Sequence, residues 1–140
     1  MSRKLYNRRI VLRLGAATLA TLSTAGCLSG ETSSTQTVTM PDNHIFEPKT
    51  ATVESGETVM WTNESNIQHT VTAYEDEVPN EATYFASGGF GSERAARNRI
   101  SEGLIAPGKY YEHTFNQPGT YRYYCIPHES SGMVGTIQVG

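Results

Sequence analysis

Short segments of alternating apolar and polar residues run along most of the chain, and turn residues such as Gly, Pro, Asn and Ser bound them. Alternation with a period of two is typical of a β-strand that turns one face toward a core. Several such strands at close spacing predict an all-β sandwich of about seven to eight strands. The predicted strands are Thr37–Met40, His44–Phe46, Thr50–Val53, Thr58–Asn63, His69–Ala73, Tyr110–Phe115, Thr120–Cys125 and Val134–Val139.

One stretch, residues 78–107, lacks the alternation and is interpreted as an inserted loop. Its Gly-rich run, Ser87–Gly91, is typical of a flexible connection. Ser92 is a favoured N-cap residue, and it predicts one short helix from Glu93 to Ile100. The basic residues of this helix, which more often form a solvated face than a binding site, are Arg94, Arg97 and Arg99.

The N-terminal residues predict an export signal rather than a part of the fold. Asn7–Arg13 resembles a twin-arginine motif, and the uncharged segment Leu14–Ala25 follows it. That segment is too short for a membrane-spanning helix, which needs roughly 20 apolar residues, and it suits a signal peptide over residues 1–26. Small residues before Cys27 resemble a lipobox, which predicts lipid attachment there. The alternative is an ordinary signal peptide with an incidental Cys.

Residues 27–36 are rich in Ser and Thr and predict a flexible tether. The remaining residues, 37–140, are enough for one domain with one core. Removal of residues 1–26 would leave six basic residues against 14 acidic ones, so the net charge would change from −3 to −8. An acidic surface disfavours nucleic acid and favours basic protein partners.

The segment Cys125–Met133 carries a thiol, an imidazole and a thioether at the spacing C-x2-H-x4-M. Soft sulfur ligands together with imidazole select copper, and a His2Cys site with a long axial Met is the blue-copper electron-transfer centre. His69 is the best candidate for the second imidazole. Zinc is the chemical alternative, but structural zinc sites usually recruit several Cys. The other histidines, His44 and His113, have no soft ligand at such a spacing and are interpreted as structural.

The same residues resemble a known family. Cys125–Met133 is similar to the ligand loop of the plastocyanin and halocyanin branch of the cupredoxins, and Gly119–Cys125 is similar to the strand that leads into it. Phe46–His69 resembles the first half of that fold, and the N-terminus favours a halocyanin. The resemblance implies a Greek-key β-sandwich over residues 37–140 with one copper ion. The ligands that it carries over are His69, Cys125, His128 and Met133.

One residue departs from the pattern of the family. Plastocyanins usually have Asn after the first His ligand, where its side chain links the two ligand loops, whereas this chain has Thr70. We expect the backbone N–H of Thr70 to donate to the Cys125 sulfur and its hydroxyl to replace part of the Asn link.

The resemblance also implies two docking surfaces. One is the apolar rim around His128. The other is a surface Tyr, here Tyr124, which strand alternation places on the face opposite the core, beside the acidic run Glu75–Glu77. A solvated acidic turn is the plain alternative for that run.

These observations predict a one-electron carrier and not an enzyme. It would exchange electrons with a redox protein donor and acceptor as a monomer on the outer face of the cytoplasmic membrane, anchored by lipid on Cys27. A copper carrier or a metal-free binding module on the same fold remains an alternative. A hydrolase with Cys125 as nucleophile is a further one, although it would leave Met133 unexplained.

Overall fold

The computed structural model describes residues 34–140. The predicted signal peptide, the lipid site at Cys27 and most of the predicted tether lie outside these residues. The last tether residues do not form a linker, because the first strand already begins at Thr35. Among residues 34–140, no helix is long and apolar enough to span a bilayer.

Seven strands within the described residues form two sheets. One sheet has the order β1-β3-β5, with β1 parallel to β3 and β5 antiparallel to β3. The other has the order β2-β7-β6-β4, with β2 parallel to β7 and the remaining pairs antiparallel. The strands are β1 (Thr35–Met40), β2 (Thr50–Val53), β3 (Glu57–Asn63), β4 (Thr72–Ala73), β5 (Tyr110–Phe115), β6 (Gly119–Tyr124) and β7 (Val134–Val139). The predicted all-β sandwich is confirmed.

The core lies between the sheets, and a cluster of packed aromatic rings forms part of it. Trp61 on β3 is fully buried, and its ring centroid lies 5.4 Å from that of Tyr123 on β6 and 5.8 Å from that of Phe85. Gly135 on β7 leaves room for the Tyr123 phenol, since a Cβ at Gly135 would lie 2.5 Å from the phenol oxygen. These contacts lock the two sheets together and fix the end of β6, where Cys125 follows.

Two of the predicted strands differ from the structure. No strand forms at His44–Phe46, because His44 ends a turn with a φ of 55°, outside the β region. The strand predicted at His69–Ala73 contains only Thr72–Ala73. His69 instead makes an isolated pair of backbone hydrogen bonds with Ile105, so it sits on a loop held by the inserted segment.

The inserted loop contains the predicted short helix, α1, which spans Glu93–Asn98. The Ser92 hydroxyl accepts a hydrogen bond from the Ala95 N–H at 3.1 Å, as expected for an N-cap. The helix ends before the predicted Ile100 because Arg99 leaves the helical region, with φ −133° and ψ 54°. A 3-10 helix, Ile100–Gly103, continues the segment.

Candidate metal centre

The four predicted ligands lie on two loops that connect strands of the sandwich. His69 lies on the loop between β3 and β4, and its backbone pairs with Ile105. Cys125 directly follows β6, His128 lies in a 3-10 helix spanning Ile126–Ser131, and Met133 directly precedes β7. Three of the four residues therefore come from one tight loop, and the fourth comes from a distant part of the chain.

The structure brings the imidazoles of two histidines to one sulfur. Cys125 Sγ lies 3.3 Å from His128 Nδ1 and 3.7 Å from His69 Nδ1, and all three donor atoms lie within 4.8 Å of one another. His69 and Cys125 are fully buried, whereas His128 is half-buried. Two imidazole nitrogens facing one thiol are the His2Cys donor set of a blue-copper centre, so the residues fit a copper ion.

The ligand loop is closed by backbone hydrogen bonds that also turn Met133 inward. The Cys125 N–H donates to the Met133 carbonyl at 3.0 Å, and the Met133 N–H donates to the His128 carbonyl at 3.2 Å. Gly132 has a left-handed backbone, with a φ of 89°, which lets the chain reverse here. Met133 is fully buried, as an axial thioether would be.

Thr70 connects the two ligand loops, as predicted. Its N–H donates to Cys125 Sγ at 3.3 Å, and its hydroxyl accepts a hydrogen bond from the Ile126 N–H at 2.8 Å. Burial raises the pKa of the Cys125 thiol, while the hydrogen bonds from Thr70 and His128 act in the opposite direction. A metal ion is needed to hold a thiolate in such a buried place, because it replaces the proton.

Ser65 and Asn63 hold the far side of the His69 ring, and neither residue was predicted from the sequence. His69 Nε2 lies 2.9 Å from the Ser65 hydroxyl, which donates to Asn63 Oδ1 at 2.7 Å. The Asn63 amide in turn donates to the carbonyl of Ile67 at 2.7 Å. With Nε2–H donating to Ser65, Nδ1 is left free to face the sulfur. The only sign of these contacts in the sequence was a run of polar residues after β3. Many loops have such a run, so it did not indicate a contact with His69.

Burial is also the main cause of the shifted pKa values of the two ligand imidazoles. Burial first, and then the neighbouring His128 and His44, lower the pKa of His69 to about 4. Burial and then His44 lower the pKa of His128. Both shifts favour the neutral imidazole, which is the form that binds a metal.

His44 contacts the site, although the sequence analysis assigned it no part there. Its ring stacks on that of His128, with centroids 4.2 Å apart and planes 21° apart. His113 is a structural residue, as predicted, since it stacks on Phe85 with centroids 5.0 Å apart. No pattern in the sequence separated the two histidines, because the contact of His44 depends on a turn with a left-handed residue.

Tyr124 lies on the predicted face of β6, but the expectation of a surface Tyr is wrong. The side chain is fully buried, because α1 and Tyr74 cover it: the Arg97 guanidinium lies 4.6 Å from its ring centroid, and the Tyr74 ring lies 4.3 Å away. The acidic residues predicted beside it occupy a 3-10 helix, Glu75–Glu77.

Comparison with known proteins agrees with this geometry. Residues 33–140 match the sequence profile of the copper-binding proteins of the plastocyanin/azurin family. The chain belongs to the plastocyanin/azurin family. Plastocyanin of Scenedesmus fuscus is 39% identical over 95 residues, which cover 68% of this chain and 86% of that protein. Plastocyanin of Lactuca sativa is 36% identical over 96 residues, which cover 68% and 87%.

Solved structures of plastocyanin/azurin-like proteins share the fold. Oxidised plastocyanin from Dryopteris crassirhizoma is 25% identical, with a TM-score of 0.53 over 74% of this chain and 99% of that one. A purple cupredoxin from Nitrosopumilus maritimus is 21% identical, with a TM-score of 0.52 over 75% and 99%, and this likeness concerns the fold alone. Proteins of the plastocyanin/azurin family carry electrons on a single copper site and are not enzymes. The predicted cofactor and function class are thereby confirmed.

Proposed function

We propose that this protein is a one-electron shuttle whose single copper ion is bound by His69, Cys125, His128 and Met133. The observation that carries the proposal is the cluster of Cys125 Sγ and two imidazole Nδ1 atoms within 4.8 Å. Bound copper would supply the Cu(I)/Cu(II) couple. The chain supplies a fixed donor set, because Thr70 ties the two ligand loops together.

The burial of the ligands supports this role. Cys125, His69 and Met133 are fully buried, so water is kept from the thiolate and from any open coordination position. His128 is half-buried, and its imidazole would provide the contact between a buried metal and an external partner. A rigid pocket with one ligand near the surface suits repeated electron exchange better than metal release, which favours a shuttle over a copper carrier. The Cys125 hydrolase alternative has no support in a family of electron carriers.

The cellular setting of the proposal rests on the sequence. We infer a halocyanin-like protein whose signal peptide, residues 1–26, is of the twin-arginine type and whose Cys27 carries lipid on the outer face of the cytoplasmic membrane. Residues 27–36 would then act as the tether and residues 37–140 as a monomeric domain between a redox donor and a redox acceptor. Some relatives are named as chloroplastic plastocyanins, and a location outside the cytoplasm is likewise part of this proposal.

The ligand set is tested by replacing Cys125 with Ser. Adding Cu(II) to the wild-type protein should give an intense visible absorption and a reversible reduction potential. The Cys125→Ser variant should keep its fold but lose the absorption and bind copper weakly, because a hydroxyl is a hard ligand. A blue Cys125→Ser protein would refute the assignment. Wild-type protein that binds copper without a reversible potential would support the copper carrier.

The anchor is tested separately in the host cell. Cys27→Ala should move the protein from the membrane fraction to the soluble exported fraction without changing the visible absorption. A Cys27→Ala protein that stays with the membrane would contradict the lipid anchor and leave the copper site untouched.

A further inference from the structure

Tyr124 lies in a stack of four side chains in the order Arg97, Tyr124, Tyr74 and Arg122. The two phenol rings stack with centroids 4.3 Å apart and planes 27° apart. The Arg97 guanidinium lies 4.6 Å from the Tyr124 centroid, and that of Arg122 lies 5.3 Å from the Tyr74 centroid. Because Tyr74 and Arg97 both lie against the Tyr124 ring, they cover its two opposite faces.

Two carboxylates accept hydrogen bonds from the tyrosine hydroxyls of this stack. The Tyr124 hydroxyl donates to Glu93 Oε2 at 2.7 Å, and the Tyr74 hydroxyl donates to Glu129 Oε2 at 2.8 Å. Arg97 forms ion pairs with both acids, at 3.0 Å to Glu93 and 3.3 Å to Glu129. Arg97 of α1 thus connects Tyr124, which precedes Cys125, with Glu129, which follows His128.

Two of the three acidic residues predicted beside Tyr124 bind groups of this chain. A Glu75 carboxylate oxygen accepts a hydrogen bond from the Glu93 N–H at 2.9 Å, and Glu93 Oε1 accepts one from the Glu75 N–H at 3.0 Å. Glu77 forms an ion pair with Arg122 at 3.0 Å. A basic partner would therefore meet carboxylates that are already paired with this chain's own donors.

Tyr124 directly precedes Cys125, so the contacts that bury its ring bear on electron transfer. Its ring is joined to the Cys125 sulfur by a short run of covalent bonds, so an exposed ring would offer electrons a bonded path to the metal. We propose that α1, Arg97 and Tyr74 cover the Tyr124 ring and close this path. Redox partners would then exchange electrons through the imidazole of His128. The inference rests on the proposed copper site.

Small redox complexes of opposite charge test the proposal. The reduced protein gives one electron to tris-phenanthroline cobalt(III), a cation, which becomes cobalt(II), or to hexacyanoferrate(III), an anion, which becomes hexacyanoferrate(II). Stopped-flow measurements give the second-order rate constants at several ionic strengths. The variant that opens the cover is Arg97→Ala. The matched control is Arg94→Ala, because Arg94 is exposed on the same helix and carries the same charge.

We expect Arg97→Ala to speed oxidation by the cationic complex by about tenfold at low ionic strength, the low end of the range for electrostatic steering. The loss of Arg97 exposes one face of the Tyr124 ring and leaves Glu93 and Glu129 beside it to attract a cation. Arg94→Ala should show only the smaller effect of net charge. Hexacyanoferrate(III) should gain nothing from either variant.

Two results would overturn the proposal that the Tyr124 ring is covered. One is an equal change in Arg97→Ala and Arg94→Ala. The other is a slower reaction of Tyr74→Leu with the cationic complex, which would show that the path is already open. Tyr74→Ala uncovers the opposite face of the Tyr124 ring without changing α1, so it repeats the test if Arg97→Ala folds poorly. The visible absorption and potential of the wild-type protein are measured first, and their absence would instead count against the copper site.

Discussion

Replacing Ser65 with Ala removes the partner of the His69 nitrogen that points away from the sulfur. The Ser65 hydroxyl lies 2.9 Å from His69 Nε2 and donates to Asn63 Oδ1 at 2.7 Å. In the proposed copper-bound form Nδ1 would be the ligand, so Nε2 would carry the proton and need an acceptor. Without copper the proton can move to Nδ1, so most of the cost of the substitution falls on the metal-bound form.

The size of this effect follows from burial. His69 is fully buried and Ser65 is 4% exposed, so water does not replace the lost hydroxyl. An unpaired buried donor costs about 1–3 kcal/mol, and every 1.4 kcal/mol is a factor of about ten in affinity. Loss of a partner behind a metal ligand weakens binding by about 10- to 100-fold in other metal sites. Both arguments give roughly 10- to 100-fold weaker copper binding for Ser65→Ala.

A chelator competition followed by the visible absorption measures this affinity, and Ser87→Ala is the matched control. Ser87 is 3% exposed, accepts a hydrogen bond from the Val71 N–H at 3.0 Å and donates to the Gly103 carbonyl at 2.6 Å. Both variants should lose stability, but only Ser65→Ala should lose copper affinity. Equal copper affinities in the two variants would refute the role of Ser65 in orienting His69.

Met133→Gln should lower the reduction potential in voltammetry and Met133→Leu should raise it, because an amide oxygen favours Cu(II) over Cu(I); no change in either would show that Met133 is not axial. Thr70→Val leaves the Ile126 N–H without its acceptor and should lower the free energy of unfolding in urea by about 1–3 kcal/mol, whereas Thr70→Ser should retain most of it. Burial lowers the pKa of His113 below 6.5, so the unfolded chain binds more protons as the pH falls through 6.5, and stability is lost there. His113→Phe keeps the stacking on Phe85 and should flatten that loss in urea titrations across pH, and an unchanged profile would contradict it.

The sequence by itself determined the sandwich, most of its strands and the candidate ligands. Alternation with a period of two shows which residues face a core, so six of the predicted strands match to within two residues at each end. The loop Cys125–Met133 was recognisable because its ligands are close in sequence and their spacing reflects one turn. Thr70 was predicted to link the loops because it follows the first His ligand, the position at which the resembling family usually has a linking Asn.

Only the tertiary structure decided which other side chains contact the site. Ser65 and His44 reach the ligands through turns whose backbone angles no local pattern reveals, including a left-handed His44. Alternation put Tyr124 on the correct face of its strand but could not show that a helix from the inserted loop covers that face. The physical reason is that periodicity reports which side of a strand a residue occupies, whereas burial also depends on what a distant segment packs against it.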